Sequence, residues 1–177
     1  INGEFVTSYA PYGYKKSRYE KNKIIIDTEA AKNVKMIFDS IEKGLSKKEI
    51  VDILNNKKIK TPMEYIKNSD EGKMWNISMI IGILNNKVYI GDLIQQKRKR
   101  ISFKNHKFVK TKEDELIITK SNHMEIISKE QFERVQDIIK HSVKVNSNNE
   151  YDLFSGYLKC TECNSNLIIR KSKEYTY

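Results

Sequence analysis

One short stretch, Gly44-Leu45-Ser46-Lys47-Lys48-Glu49, restricts the fold more than any other part of the sequence. Glycine accepts the left-handed conformation that closes a helix, and Ser-x-x-Glu is the capping box that opens one. In that box the serine hydroxyl accepts from the Glu49 amide, while the Glu49 carboxylate reaches back to the Ser46 amide. Leu45 and Ile50 stand where a hydrophobic staple would clip the new helix. A helix must therefore stop and another start within a few residues, so the two turn sharply against each other.

On the near side of this junction, a helix begins at Asp27-Thr28, with Ala31, Val34, Ile37, Phe38 and Ile41 at helical spacing. On the far side, Ile50, Val51 and Leu54 form the buried stripe of a second helix ending near Asn55-Asn56. A polar loop containing Thr61-Pro62 then runs to Gly72-Lys73. Asn76, directly after Trp75, is a good N-cap for a third helix. On that register Ile77, Ile80, Ile81 and Leu84 face inward, and Ser78, Met79, Gly82 and Asn85 face outward. Three short helices, the last presenting small or uncharged side chains, suit either a helix-turn-helix that enters a DNA major groove or an ordinary three-helix bundle.

After Val88 the pattern turns β-rich. Residues 88–95 and Glu115–Thr119 read as a small antiparallel sheet. A fourth helix opens at Ser128-Lys-Glu-Gln131, another capping box, with Ile127 and Phe132 as its staple. Its apolar face is Phe132, Val135, Ile138 and Ile139. The expected class is α+β: a helix-turn-helix-like bundle, a small antiparallel sheet and a further helix, followed by a truncated zinc-ribbon segment. The expected divisions are 1–26 as an extended arm or interdomain linker, 27–143 as the main domain, 144–150 as a linker and 151–177 as a partial zinc ribbon.

The 177 residues carry 33 Lys+Arg against 23 Asp+Glu, a formal charge of +10. An AT-rich coding sequence would also enrich lysine, so distribution is the better guide. Residues 95–112 hold eight basic side chains and no acid. Such a run attracts phosphate backbones, and it also suits a solvated hairpin tip. With 38% hydrophobic residues the chain is not a disordered polymer. No apolar run reaches the ~18 residues of a membrane span, and no signal peptide opens the sequence. The first residue, Ile1, suggests an internal piece of a longer protein.

Only two cysteines occur, as Cys160-Thr-Glu-Cys163. That excludes a disulfide-rich secreted scaffold and favours a reducing, intracellular setting. A Cys-x-x-Cys turn is half of a zinc ribbon, because two thiolates so spaced can share one tetrahedral Zn2+. No Cys or His follows Cys163. His106, His123 and His141 are scattered and read as surface or structural residues.

Taken in order, these pieces resemble the DNA-binding half of a large serine recombinase, the resolvase/integrase family of phages and mobile elements. The matching residues are Pro11-Tyr12-Gly13-Tyr14, the helix from Asp27 through Ala30, Val34, Ile37 and Phe38, Gly44, Ile59, Thr61-Pro62 and Trp75. They continue through Ile83-Leu84-Asn85-Asn86-Lys87-Val88-Tyr89-Ile90-Gly91, Asn122-His123, Ile126-Ile127, and Phe132-Glu133-Arg134-Val135-Gln136. Last come Ser155-Gly156-Tyr157-Leu158-Lys159-Cys160 and Cys163. Where the family usually has Asn-Pro, this chain has Asn86-Lys87. The family's Tyr-x-Arg-x-Ser nucleophile strand is missing, so no catalytic residue is carried over. The resemblance implies a DNA-targeting part of an enzyme that cuts, exchanges and religates two DNA sites through phosphoserine links. It implies double-stranded DNA as partner, a dimer or tetramer of the full-length protein, Zn2+ at Cys160 and Cys163, and a cytoplasmic protein of bacterial or phage origin.

Sorting contacts by their physics gives the expected DNA-binding residues. Tyr12, Lys15 and Lys16 would lie along a minor groove, or else Tyr12 and Tyr14 fill core. Lys73, Asn76, Ser78, Met79 and Gly82 would approach base edges, unless Asn76 is spent as the cap; Trp75 is the core anchor. Lys97, Arg98, Lys99, Arg100, Lys104, Lys107 and Lys110 would neutralise phosphates. Rival readings are a transcriptional regulator using the same helices and a protein–protein module that docks subunits.

Overall fold

The computed structural model describes residues 3–100, 107–112, 115–140, 158–162 and 167. The chain divides into two units, Ile1–Val135 and Gln136–Tyr177. The first unit is α+β. Its helices are α1 (Thr28–Glu42), α2 (Lys47–Asn56), α3 (Pro62–Lys67), α4 (Ile77–Leu84) and the start of α5 (Lys129–Lys140). Among the described residues its strands form three antiparallel pairs: β1 (Tyr14–Lys16) with β2 (Ile24–Ile26), β3 (Leu93–Gln95) with β6 (Ile117–Thr119), and β4 (Arg98–Arg100) with β5 (Phe108–Lys110).

The helix junction is built as the sequence indicates. Asp27 caps α1 by accepting from the Glu29 and Ala30 amides, and Gly44 closes it at φ +83°. Ser46 Oγ accepts from the Glu49 amide at 3.2 Å, and Glu49 accepts from the Ser46 amide at 2.7 Å. The Ser46 amide foremost, with the Ser46 hydroxyl beside it, holds the Glu49 carboxyl below the usual carboxylate range. Val34, Ile37, Phe38, Leu54, Ile80 and Leu84 are 0% exposed and form the heart of the core, with α4 packed on both α1 and α2. Burying each such side chain stabilises the fold by about 1.5–3 kcal/mol.

The structure corrects four expectations. Within the expected arm 1–26, residues 3–26 are not extended: β1 and β2 form a hairpin, and Phe5, Tyr12, Tyr14 and Ile24 are buried. The Tyr14 hydroxyl lies 3.2 Å from the Val88 carbonyl and 2.9 Å from that of Met124, so the hairpin is fastened to the chain after α4. Residues Lys87–Ile90 are a 3-10 turn rather than a strand. Asn86 Oδ1 accepts from the Val88 amide to start it, and Gly91 at φ +84° ends it. A Cβ on Gly91 would stand 2.8 Å from the His123 carbonyl oxygen, because the 122–127 segment crosses directly over the turn.

The third correction is α3, which the sequence analysis treated as loop. Pro62 at its first turn and Glu64 three residues after Thr61 are ordinary helix-opening signals. Glu64 is buried and accepts from the Thr61 amide (3.0 Å), the Thr61 hydroxyl (2.8 Å) and the Lys73 amide (2.8 Å). Those donors hold its carboxyl below the usual range, the Thr61 hydroxyl foremost. Glu64 thus ties both ends of the 61–73 segment together. Fourth, half of the α5 capping box is redirected. Ser128 accepts from the Gln131 amide, but the Gln131 side chain donates to Asp39 and Glu42 on α1.

In the second unit, α5 ends at Lys140, and the Leu167 amide donates to the Leu158 carbonyl at 2.9 Å. The expected linker 144–150 lies outside the described residues.

Candidate nucleic-acid interface

The register of α4 decides which side chains face solvent. Asn76 Oδ1 accepts from the Met79 amide at 3.0 Å, so this side chain is the cap. Trp75, 2% exposed, sets the helix in place. Its indole N–H donates to the Ile59 carbonyl (2.9 Å), while Asn55 donates to its carbonyl and accepts from its amide (3.2 and 2.8 Å). Tyr12 packs edge-on against it, ring centres 5.6 Å apart.

The inward face is Ile80, Ile83 and Leu84. Ile77 and Ile81, expected inside, are 44% and 41% exposed. Ser78 and Gly82 are exposed beside them, and Met79 is half-buried. A helix this rich in isoleucine carries two apolar stripes, and contact with α1 and α2 selects between them. The solvent face of α4 is therefore uncharged and partly aliphatic: Ile77, Ser78, Ile81, Gly82 and Asn85. Such a face suits the base edges of a major groove, where an aliphatic group meets a thymine methyl and a hydroxyl or amide meets a donor or acceptor. Ile77 and Ile81 went unrecognised because periodicity alone placed them in the core.

The basic stretch becomes a ribbon of its own, β4 against β5, registered Arg98 to Lys110, Lys99 to Val109 and Arg100 to Phe108. Its root is tied to the end of α4, since Lys97 Nζ lies 3.5 Å from Asn86 Oδ1. Partial burial holds the Lys97 ammonium below its usual range. Lys99 forms an ion pair with Glu115, and the Arg100 guanidinium sits 5.4 Å from the centre of the Phe108 ring. Lys107 is exposed. Lys104 and the side chains of Arg98 and Lys110 lie outside the described residues.

Of the remaining expected residues, Lys15 and Lys16 lie on β1 and Lys73 lies in the segment before α4. Lys73 is ion-paired with Glu71, which raises its ammonium above the ordinary lysine value. Lys15 and Lys16 are exposed on β1, whereas Tyr12, at 4% exposure, packs in the core. Cys160 is half-buried and free, and Cys163 lies outside the described residues. Among the described residues no three His, Cys, Asp or Glu side chains gather as a metal site. No described helix is long and apolar enough to cross a membrane. Lys32, Lys57, Lys58 and Lys60, not among the expected binding residues, are drawn by the fold around a single cleft. Their only sequence signal was the Lys57-Lys58-Ile59-Lys60 run, short and remote from Lys32.

The family model described as Recombinase matches residues 28–142. A structure reported as "Crystal Structure of a LSR-DNA Complex" is similar with a TM-score of 0.59 and 21% identity, covering 99% of this chain and 48% of that one. A second, reported under "Sequence Requirements of the Listeria innocua prophage attP site", is similar with a TM-score of 0.56 and 23% identity, covering 99% of this chain and 65% of that one. The chain thus spans less than two thirds of either. The family match runs through α1 to α5 and takes in α4 and the basic ribbon, so the chain belongs to the recombinase family, with its recombinase domain at residues 28–142.

Proposed function

We propose that this chain binds double-stranded DNA sequence-specifically at attachment sites, as the targeting part of a large serine site-specific recombinase. The observation that carries the reading is the solvent face of α4. It is uncharged, part aliphatic and part polar, and rigidly set by Trp75 and the Asn76 cap. At its C-terminal end the basic ribbon is rooted through Lys97 and Asn86. Ser78, Met79, Ile77 and Ile81 would read base edges, with Gly82 leaving room for close approach. Lys97 to Arg100, with Lys104 and Lys107, would meet phosphates, as would Lys15 and Lys16 from β1. Zn2+ at Cys160 and Cys163 belongs to the same reading, supported by the Cys-x-x-Cys turn. So do assembly of the full-length protein as a dimer or tetramer and DNA integration or excision as its activity, supported by the family membership.

The test is selection of a binding site from random duplexes, repeated with Ser78→Ala and Ile81→Ala. A base contact discriminates by about 1–3 kcal/mol, so the selected sequence should relax at particular positions while affinity for unrelated DNA holds. A uniform loss across all sequences would refute base reading by α4. A transcriptional regulator would use the same helices; linking this chain to a domain with the serine nucleophile strand separates the two.

A further inference from the structure

A cleft of about 740 Å3 opens where α1, the α2–α3 connection and α3 meet. Lys32, Lys57, Lys58 and Lys60 line it, against one carboxylate, Glu29. None of the four lysines forms an ion pair with a carboxylate among the described residues. Lys60 Nζ donates to the Ser69 carbonyl at 3.3 Å, while Lys32, Lys57 and Lys58 are exposed, with Lys57 Nζ 3.9 Å from the Met36 sulfur. Glu29 is itself engaged, 3.4 Å from the Tyr65 hydroxyl. This contrasts with the ribbon, where Lys99 already has a carboxylate partner.

The cleft wall also offers a buried neutral donor. The Tyr12 hydroxyl accepts from the Asn33 amide at 2.9 Å, which leaves its own proton for another acceptor. Cationic ammonium groups beside a phenolic donor are the chemistry that holds a phosphate oxygen. The place of the cleft matters too. Tyr12 and Ile59 both line it, and both touch Trp75, one ring-to-ring and the other through the indole hydrogen bond. The cleft therefore flanks the N-terminal end of α4, while the ribbon is rooted at the C-terminal end. The eight-residue helix spans about 12 Å, and cations stand beyond both of its ends.

We infer that this cleft is a phosphodiester-binding site that clamps the backbone of the duplex strand bordering α4, with Lys32, Lys57 and Lys58 as the principal cations. The inference rests on the DNA-binding reading above. The test is a salt titration of duplex binding by the whole chain and by its Lys32→Gln/Lys57→Gln/Lys58→Gln variant, with circular dichroism to check that the variant keeps its fold. Each phosphate contact contributes about 0.9 to the slope of log affinity against log salt, so the variant's slope should be shallower by about 2.7. Between 50 and 200 mM salt it should lose roughly 40-fold less affinity than the parent, with its selected sequence unchanged. An unaltered slope in a parent that binds DNA would overturn the clamp and leave base reading by α4 standing. No binding by the parent at 50 mM salt would overturn both. Lysine acetylation read by mass spectrometry separates the sources of phosphate: protection of Lys57 and Lys58 by duplex supports the clamp, and protection by inorganic phosphate but not duplex refutes it.

Discussion

Trp75→Phe probes the link between folding and recognition, because Trp75 connects the core to the start of α4. Phenylalanine keeps most of the buried ring but removes the indole N–H that reaches the Ile59 carbonyl at 2.9 Å. Ile59 is half-buried, so its orphaned carbonyl would cost toward the low end of about 1–3 kcal/mol. The smaller ring leaves a void against Tyr12, now 5.6 Å centre to centre, for about 1 kcal/mol more. The expected loss is about 2 kcal/mol, read from urea unfolding followed by far-ultraviolet circular dichroism. Truncation to alanine should cost about 3–5 kcal/mol. The phenylalanine variant should also lose affinity for its selected site more than for random duplex, because the first turn of α4 loses its mooring. A loss below about 0.5 kcal/mol, the scatter of ordinary surface changes, would refute the argument that the indole sets α4 in place.

Two further outcomes follow from the same packing. Ser46→Ala removes the acceptor of the Glu49 amide and should lower stability by about 1 kcal/mol in the same unfolding measurement. His123 lies in a partly buried niche, 2.8 Å from the Val88 carbonyl, with Nδ1 unpartnered, and burial holds its pKa below the ordinary histidine value. Its neutral form therefore supports the fold fully above the unfolded pKa of about 6.5, and that support is lost as pH falls through the lower folded value. Stability should decline below about pH 6.5, and His123→Gln should flatten the decline in a pH series of melting curves.

Local signals and long-range packing divided the work of specifying this molecule. The α1–α2 junction was legible because its determinants lie within a few residues: Asp27, Gly44 and the Ser46–Glu49 box each satisfy backbone groups next to them. The basic run and the Asn76 cap were equally local, and the core role of Trp75 followed from its residue type alone. The Thr61-Pro62-Met63-Glu64 start of α3 was just as local and was overlooked. Tertiary contact decided what periodicity leaves degenerate. Ile77 and Ile81 carry the same side chain as Ile80, and only the neighbours α1 and α2 determine which isoleucines are covered. Tyr12 and Tyr14 were placed by partners far along the chain, Trp75 for one and the carbonyls of Val88 and Met124 for the other. Lys32 and the lysines of 57–60 are separated in sequence and acquire a common field only when α1 meets the α2–α3 connection. Hydrogen-bond caps act over a few residues and can be read from their spelling, whereas burial and charge clustering depend on which surfaces the folded chain brings together.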